Sequence, residues 1–249
     1  MRKLTTLVAA TLALAIVGGS AFAGEKIRIA TEGAYAPFNM KNPKGELVGF
    51  DVDIAKALCT KLSADCTIVA QDWDGIIPGL MAKKYDAIVA SMSITAERQK
   101  SVSFTNPYYS NYLRFVAPTG SKLKTDKAGL KGKTLGAQRS TISSQYIEDH
   151  LGKVAKIKLY DTQDAAYLDL KAGRIDAMLT DVYPAYDWMQ KNKGFAFVGD
   201  QIDINDKIGI AVRKSDSALR GKLNKALSAI FEDGTYDKIN KRYFPFSIR

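Results

Sequence analysis

From Lys26 to Thr31 polar and apolar residues alternate with a period of two, which predicts a half-buried strand, and Gly33 to Pro37 interrupts the pattern as a loop. Asp51 is positioned to cap a helix in which Ile54, Leu58 and Leu62 recur every four residues on one face, leaving Lys56 and Lys61 toward water. Thr67 to Ala70 predicts a second strand, Asp74-Gly75 opens a second helix through Met81, and Tyr85 to Ala90 is a short buried strand. Strand alternating with helix predicts an α/β fold, with mostly parallel sheets flanked by helices.

The same order restarts after residue 130, with a strand over Lys133 to Ala137, a helix from Thr141, a strand over Lys156 to Tyr160, a helix through Leu170 and a strand over Ile175 to Thr180. The stretch from Leu80 to Val89 aligns with that from Leu170 to Leu179, each a helix end, a basic turn and a strand opened by Asp-Ala. Two lobes of one design are implied, expected over 24–111 with 208–249 and over 112–207. Phe104 to Phe115 is expected as the first crossing between them and Ile208 to Arg213 as the return strand, followed by a helix over Ser217 to Phe231.

In open α/β sheets, ligands bind beyond the carboxyl ends of the strands. That rule selects Thr31 to Tyr35 and Ala90 to Ser93 in the first lobe, with Gln138 to Ile142 and Asp181 in the second. Arg98, near the start of a helix that Thr95 can cap, has the planar fork that grips a carboxylate through two parallel hydrogen bonds. Asp181 ends a strand at the position Ser91 holds in the first lobe and suits an ammonium; capping the next helix is its plainer role. Ser91 and Ser93 add neutral hydrogen bonds, each worth about 1 kcal/mol net. Tyr35 and Trp73 follow strand ends, either as flat walls for a ligand or as ordinary core.

The ends of the chain and its charge narrow the setting. Arg2 and Lys3 precede an uncharged run from Leu4 to Gly19 and then Ala21-Phe22-Ala23, the pattern of a signal peptide cut after Ala23. No cysteine follows at Gly24, which disfavours a lipid anchor, and no later apolar run has the roughly 20 residues needed to span a bilayer. Without Arg2 and Lys3 the balance is 34 basic against 26 acidic side chains, a net charge of +8. These charges are scattered, with no nucleic-acid motif, so they bear on solubility more than on a nucleic-acid partner. Cys59 and Cys66 are the only cysteines, and in an exported chain they are expected as a disulfide with a local stapling role.

Several motifs together resemble one family. Tyr35-Ala36-Pro37-Phe38, Gly49-Phe50-Asp51-Val52-Asp53, the cysteine pair, Asp72-Trp73-Asp74-Gly75-Ile76-Ile77-Pro78, Ser91-Met92-Ser93-Ile94-Thr95 with Arg98, and Asp233-Gly234-Thr235-Tyr236-Asp237 look like a periplasmic substrate-binding protein of the polar amino-acid ABC transporters, in the branch that takes lysine, arginine, ornithine or histidine. The resemblance implies the two-lobe periplasmic-binding-protein fold (type II), a monomer, and a membrane permease as partner. It implies that Arg98 grips the ligand carboxylate, Asp181 takes the ammonium, Tyr35 and Trp73 are walls, and Glu32 and Asp51 meet the far end of a basic side chain. Ala90, Ser91, Ser93, Gln138, Thr141 and Ile142 complete the expected ligand-binding set. One departure stands out: related chains carry a glycine and two hydroxyl residues after the second lobe's first strand, where this one reads Gln138-Arg139-Ser140-Thr141-Ile142.

Two other functions compete. Dehydratases share this architecture, and a fold does not fix a function. His150, the only histidine, sits at a polar helix end, so a Ser-His-Asp triad is poorly supported. Gly129 to Thr134 misses a P-loop because Lys127 occupies the first glycine position, and no metal or cofactor is expected. A sensor that hands its ligand to a receptor would share the same binding mechanism.

Overall fold

The computed structural model describes residues 24–249; the expected leader over 1–23 lies outside the described residues. In chain order, β1 (Lys26–Thr31) leads into a small antiparallel meander of β2 (Ala34–Tyr35), β3 (Asn39–Lys41) and β4 (Leu47–Val48). Next come α1 (Phe50–Leu62), β5 (Asp65–Ala70), α2 (Trp73–Met81), β6 (Ala87–Ile88), the short α3 (Ala96–Gln99) and β7 (Val102–Phe104). The long β8 (Tyr109–Pro118) opens the second lobe, followed by β9 (Thr134–Gln138), α4 (Ile142–Leu151), β10 (Lys156–Tyr160), α5 (Gln163–Lys171), β11 (Ala177–Asp181), α6 (Val182–Lys191) and the long β12 (Phe195–Ile208). β13 (Ala211–Arg213), α7 (Ser217–Glu232) and α8 (Thr235–Tyr243) end the chain.

Two five-stranded sheets result, in the orders β5-β1-β6-β13-β7 and β10-β9-β11-β8-β12. Each has three parallel strands continued by antiparallel ones. The Asp-Ala echo is repeated atom by atom. Asp86 N–H donates to Arg28 O and its carboxylate accepts from Arg28 N–H, while Asp176 N–H donates to Thr134 O and its carboxylate accepts from Thr134 N–H. Each aspartate therefore pins the start of a third strand to the first, fixing the register that carries Ala90 and Asp181 to the cleft.

Each sheet is covered on both faces. In the first lobe, Ile54, Leu58, Leu223, Leu227 and Ile230 from α1 and α7 cover one face, and Ile76 and Leu80 from α2 pack on the other. The second lobe repeats this with Ile147 and Leu151 of α4 on one side and Ala166, Leu170 and Ala185 of α5 and α6 on the other. At roughly 25 cal/mol per Å² of buried apolar surface, such faces supply the main drive to fold.

β8 and β12 run antiparallel and pair from Tyr109 and Ile208 through to Pro118 and Phe195, with bulges on the way. They cross between the sheets, and Ser93 bridges to Ile208 to join the pair to the first lobe. The return strand expected at Ile208 to Arg213 is corrected: the crossing is made by Phe195–Ile208, and Ala211–Arg213 is a separate strand of the first sheet. Gly209 splits the apolar run, because a side chain there would press on Ile94 and its N–H is bonded to Met92 O.

A second correction concerns α1. Gly49, not Asp51, holds the cap position, at φ +128° where a side chain would collide with the Phe38 carbonyl. Asp51 lies in the first turn with its N–H bonded to Phe38 O. Cys59 near the end of α1 is disulfide-bonded to Cys66 on β5, across the left-handed turn at Ser63. Replacing both cysteines by alanine is expected to lower unfolding free energy by about 2 kcal/mol, from the loop-closure entropy restored to the unfolded chain. Urea titration of the variant against the oxidised protein measures it.

Candidate functional site

The carboxyl ends of the parallel strands in the two sheets face each other across a nearly filled enclosure. Eleven of the twelve expected positions line it: Glu32, Tyr35, Trp73, Ala90, Ser91, Ser93 and Arg98 from the first lobe, and Gln138, Thr141, Ile142 and Asp181 from the second. The strand-end rule therefore brings together residues up to 149 positions apart in sequence, from Glu32 to Asp181.

At one end stands Arg98, on α3. Thr95 caps this single turn by accepting from Arg98 N–H at 3.1 Å, which fixes where the guanidinium points. Its Nη1 donates to Ser93 O at 2.9 Å and its Nη2 to Ser140 O at 3.1 Å, and its guanidinium carbon lies over the Trp73 ring, 5.2 Å from the ring centre. Two of five N–H donors are thus used, leaving three for a ligand oxygen pair. Burial pulls the Arg98 pKa down to about 10, against the attraction of Asp206 and Asp181, so it remains charged at neutral pH.

The start of α4 closes this end. Thr141 caps it, its hydroxyl accepting from Ser144 N–H and donating to Gln138 O, so that hydroxyl is spent locally. Ile142 and Ser143, the first two helical residues, line the enclosure. A helix N-terminus beside an arginine makes a strong environment for an anion.

Asp181 supplies the opposite charge. It occupies the cap position of α6 but makes no capping hydrogen bond; instead its carboxylate accepts from the Tyr35 hydroxyl of the other lobe. Burial raises its pKa, and repulsion from Asp206 raises it further. Asp206 sits on β12, accepting from Asn111 on β8 at 2.9 Å, and its own pKa is raised by burial. Two crossing strands thus hold a second carboxylate close to Arg98 and Asp181.

The far end is acidic as well. Glu32 accepts from Gln138 Nε2 across the lobes at 2.6 Å. Burial pushes its pKa to about 7, the Gln138 bond opposes the shift, and Asp164, Asp72 and Asp74 add to it. Among the described residues, neither Glu32 nor Asp181 has a lysine or arginine in salt-bridge contact. Around the mouth, Arg139 pairs with Asp161 at 3.0 Å and approaches Asp74 of the opposite lobe at 3.9 Å.

Asp51 is the correction. It is fully buried beneath the enclosure and does not line it. Its carboxylate accepts from Asn39 Nδ2, the Ser91 hydroxyl and the Tyr108 hydroxyl, at 2.9, 2.8 and 2.6 Å. Three donors hold it in place, and through the Ser91 hydroxyl it anchors a lining residue whose backbone is left-handed at φ +51°. The motif Gly49-Phe50-Asp51 could not reveal this, because two of the three donors come from distant segments.

Gln163, Ser143 and Leu179 also line the enclosure without having been selected from the sequence. Gln163 had a legible signal: it opens α5 after β10 as Trp73 opens α2 after β5, so the repeat assigns the two one position. Its side chain accepts from Thr180 and donates to Tyr167, which fixes the amide. His150 packs against Tyr146, ring centres 4.5 Å apart, and lies off the lining.

Relatives among known proteins match this chain along its whole length. The L-arginine-binding protein of Pseudomonas aeruginosa is 43% identical over all of this chain and 98% of its own length. The lysine/arginine/ornithine-binding periplasmic protein of Escherichia coli is 40% identical over 90% of this chain and 89% of its own. Among solved structures, an ancestral arginine-binding protein bound to arginine superposes with a TM-score of 0.84 at 38% identity, covering 89% of this chain and 99% of that one. The model of the bacterial extracellular solute-binding proteins, family 3, matches residues 27–246. With nearly every described residue inside that match, and a cleft assembled from both lobes at their strand ends, this chain belongs to the bacterial extracellular solute-binding proteins, family 3.

Proposed function

We propose that this chain captures an amino acid with a cationic side chain in the periplasm, by closure of its two lobes, and presents it to an inner-membrane ABC permease. One observation carries the reading. Glu32 and Asp181 are buried carboxylates at separate places in one enclosure, both with raised pKa and neither in salt-bridge contact with a basic residue, while Arg98 and the α4 N-terminus gather positive charge between the lobes. An α-carboxylate on Arg98, an α-ammonium on Asp181 and a cationic end group toward Glu32 satisfy all three, and a neutral side chain leaves Glu32 unmatched. Trp73 and Tyr35 flank the path as apolar walls.

The curated relatives from Pseudomonas aeruginosa and Escherichia coli are binding proteins for arginine, lysine and ornithine, which supports the ligand class and favours binding over turnover. In this reading the lobes are 24–111 with 208–249 and 112–207, moving about β8 and β12. The chain is exported as a monomer, and residues 1–23 are removed after Ala23. The ligand favours closure because it touches both sides.

A thermal-shift screen across the amino acids is expected to be led by arginine, lysine, ornithine and histidine; glutamate or glutamine at its head overturns the cationic assignment. Arg98→Ala and Asp181→Ala are each expected to weaken binding by at least about 2 kcal/mol, roughly thirtyfold, since each leaves a ligand charge buried and unpaired. Near-native calorimetric affinity in both variants refutes the site. Binding should also depend on pH. Glu32 must be ionised to meet a cation, and with its pKa near 7 it should by itself account for about a tenfold fall in affinity for arginine between pH 8 and pH 6. Glu32→Gln is expected to bind more weakly and to flatten that dependence, leaving the part owed to Asp181.

A further inference from the structure

The turn from Gln138 to Thr141 joins β9 to α4, and its most consequential atom belongs to the backbone. Ser140 is a non-glycine residue at φ +59°, a left-handed conformation that turns its carbonyl into the cleft while the residue stays exposed. That single carbonyl oxygen accepts two hydrogen bonds from the opposite lobe, from Trp73 Nε1 at 3.0 Å and from Arg98 Nη2 at 3.1 Å. Trp73 and Arg98 also stack, 5.2 Å from guanidinium carbon to ring centre.

We infer that the Ser140 carbonyl is a closure latch, with Trp73 as a positioning residue whose indole N–H holds the lobes together and orients Arg98. The inference rests on the amino-acid-binding reading and adds to it a second role for Trp73. A tryptophan that serves only as a wall needs its ring; this one also places its one donor on the other lobe. Arg98 is held from behind by Ser93 O and from across the cleft by Ser140 O, so its remaining donors face a carboxylate only when both lobes are in place. Carboxylate binding and closure are thus coupled through one guanidinium. A charged donor makes the stronger of the two bonds, and the indole N–H sets where the oxygen sits. Arg139, next in the chain, reaches Asp74 of the first lobe at 3.9 Å, an exposed pair that adds little by itself.

Two tryptophans make the test direct. In 15N-labelled protein, saturating L-arginine is expected to slow exchange of the Trp73 indole proton at least about tenfold and to leave that of Trp188 unchanged. Trp73→Phe keeps a flat ring and removes only the donor. It is expected to speed release of L-arginine and of L-ornithine by the same factor, about three- to tenfold for one neutral hydrogen bond, with the association rate unchanged. Ser140→Gly retains the carbonyl and should leave release within about twofold. An indole proton that exchanges equally fast at saturation overturns the latch, and so does a Trp73→Phe effect that differs between the two amino acids, since that marks a ring contact with the ligand side chain. Absence of calorimetric heat with either amino acid overturns the proposed ligand instead. The latch is then read with whichever amino acid raises the melting midpoint most in the thermal-shift screen, where a Trp73 indole proton that exchanges as fast with that amino acid as without it overturns the latch.

Discussion

Charge taken out of water must be matched, and that constraint organises the cleft. Arg98 loses solvent on closure and is held by two carbonyls, one from each lobe. Asp181 is buried against Tyr35, Glu32 against Gln138, and both partners again come from the opposite lobe. Neutral hydrogen bonds of this kind position a buried charge without cancelling it. In the proposed function, a ligand of opposite charge relieves the residual imbalance, which ties affinity to lobe closure instead of to either lobe alone.

The scaffold makes this possible by using one solution twice. Asp86 and Asp176 fasten the third strand of each lobe to the first through the same pair of hydrogen bonds, so the strand ends arrive in equivalent places. The residues just past those strand ends differ in chemistry: Trp73 opens α2 where Gln163 opens α5, and Ser91 faces Asp181 across the pseudo-repeat. Equivalent geometry with unlike side chains gives a cleft with distinct ends. β8 and β12, joined by Asn111 and Asp206, are the longest strands among the described residues and connect the lobes.

Global and local charge point in opposite directions in this protein. The chain carries a formal net charge of +10, yet Glu32, Asp72, Asp74 and Asp164 lie near one end of the enclosure. Exposed lysines more than a Debye length of about 10 Å away are screened by salt, whereas a buried carboxylate at contact distance is not. A basic protein can therefore offer an acidic slot, and its overall charge says little about its ligand.

Local pattern in the amino-acid sequence determined the alternation of β1, α1, β5, α2 and β6, its repeat in β9, α4, β10, α5 and β11, the strand-end positions and through them the candidates Arg98, Asp181, Glu32, Tyr35 and Trp73, but not the β2-β3-β4 meander, read as a loop at Gly33 to Pro37, nor the long β12. The former are legible because period, capping and chain order act over a few residues, and the strand-end rule converts order into place. Tertiary structure alone decided the rest. Asp51 reads as a cleft acid beside Glu32, but three donors from β3, Ser91 and Tyr108 enclose it, and no local pattern encodes that meeting. The division of the apolar run at Gly209 depends on Ile94 packing from another segment. The double hydrogen bond at Ser140 depends on the direction of a carbonyl, which no side-chain alphabet records and which only the approach of two lobes turns into a contact.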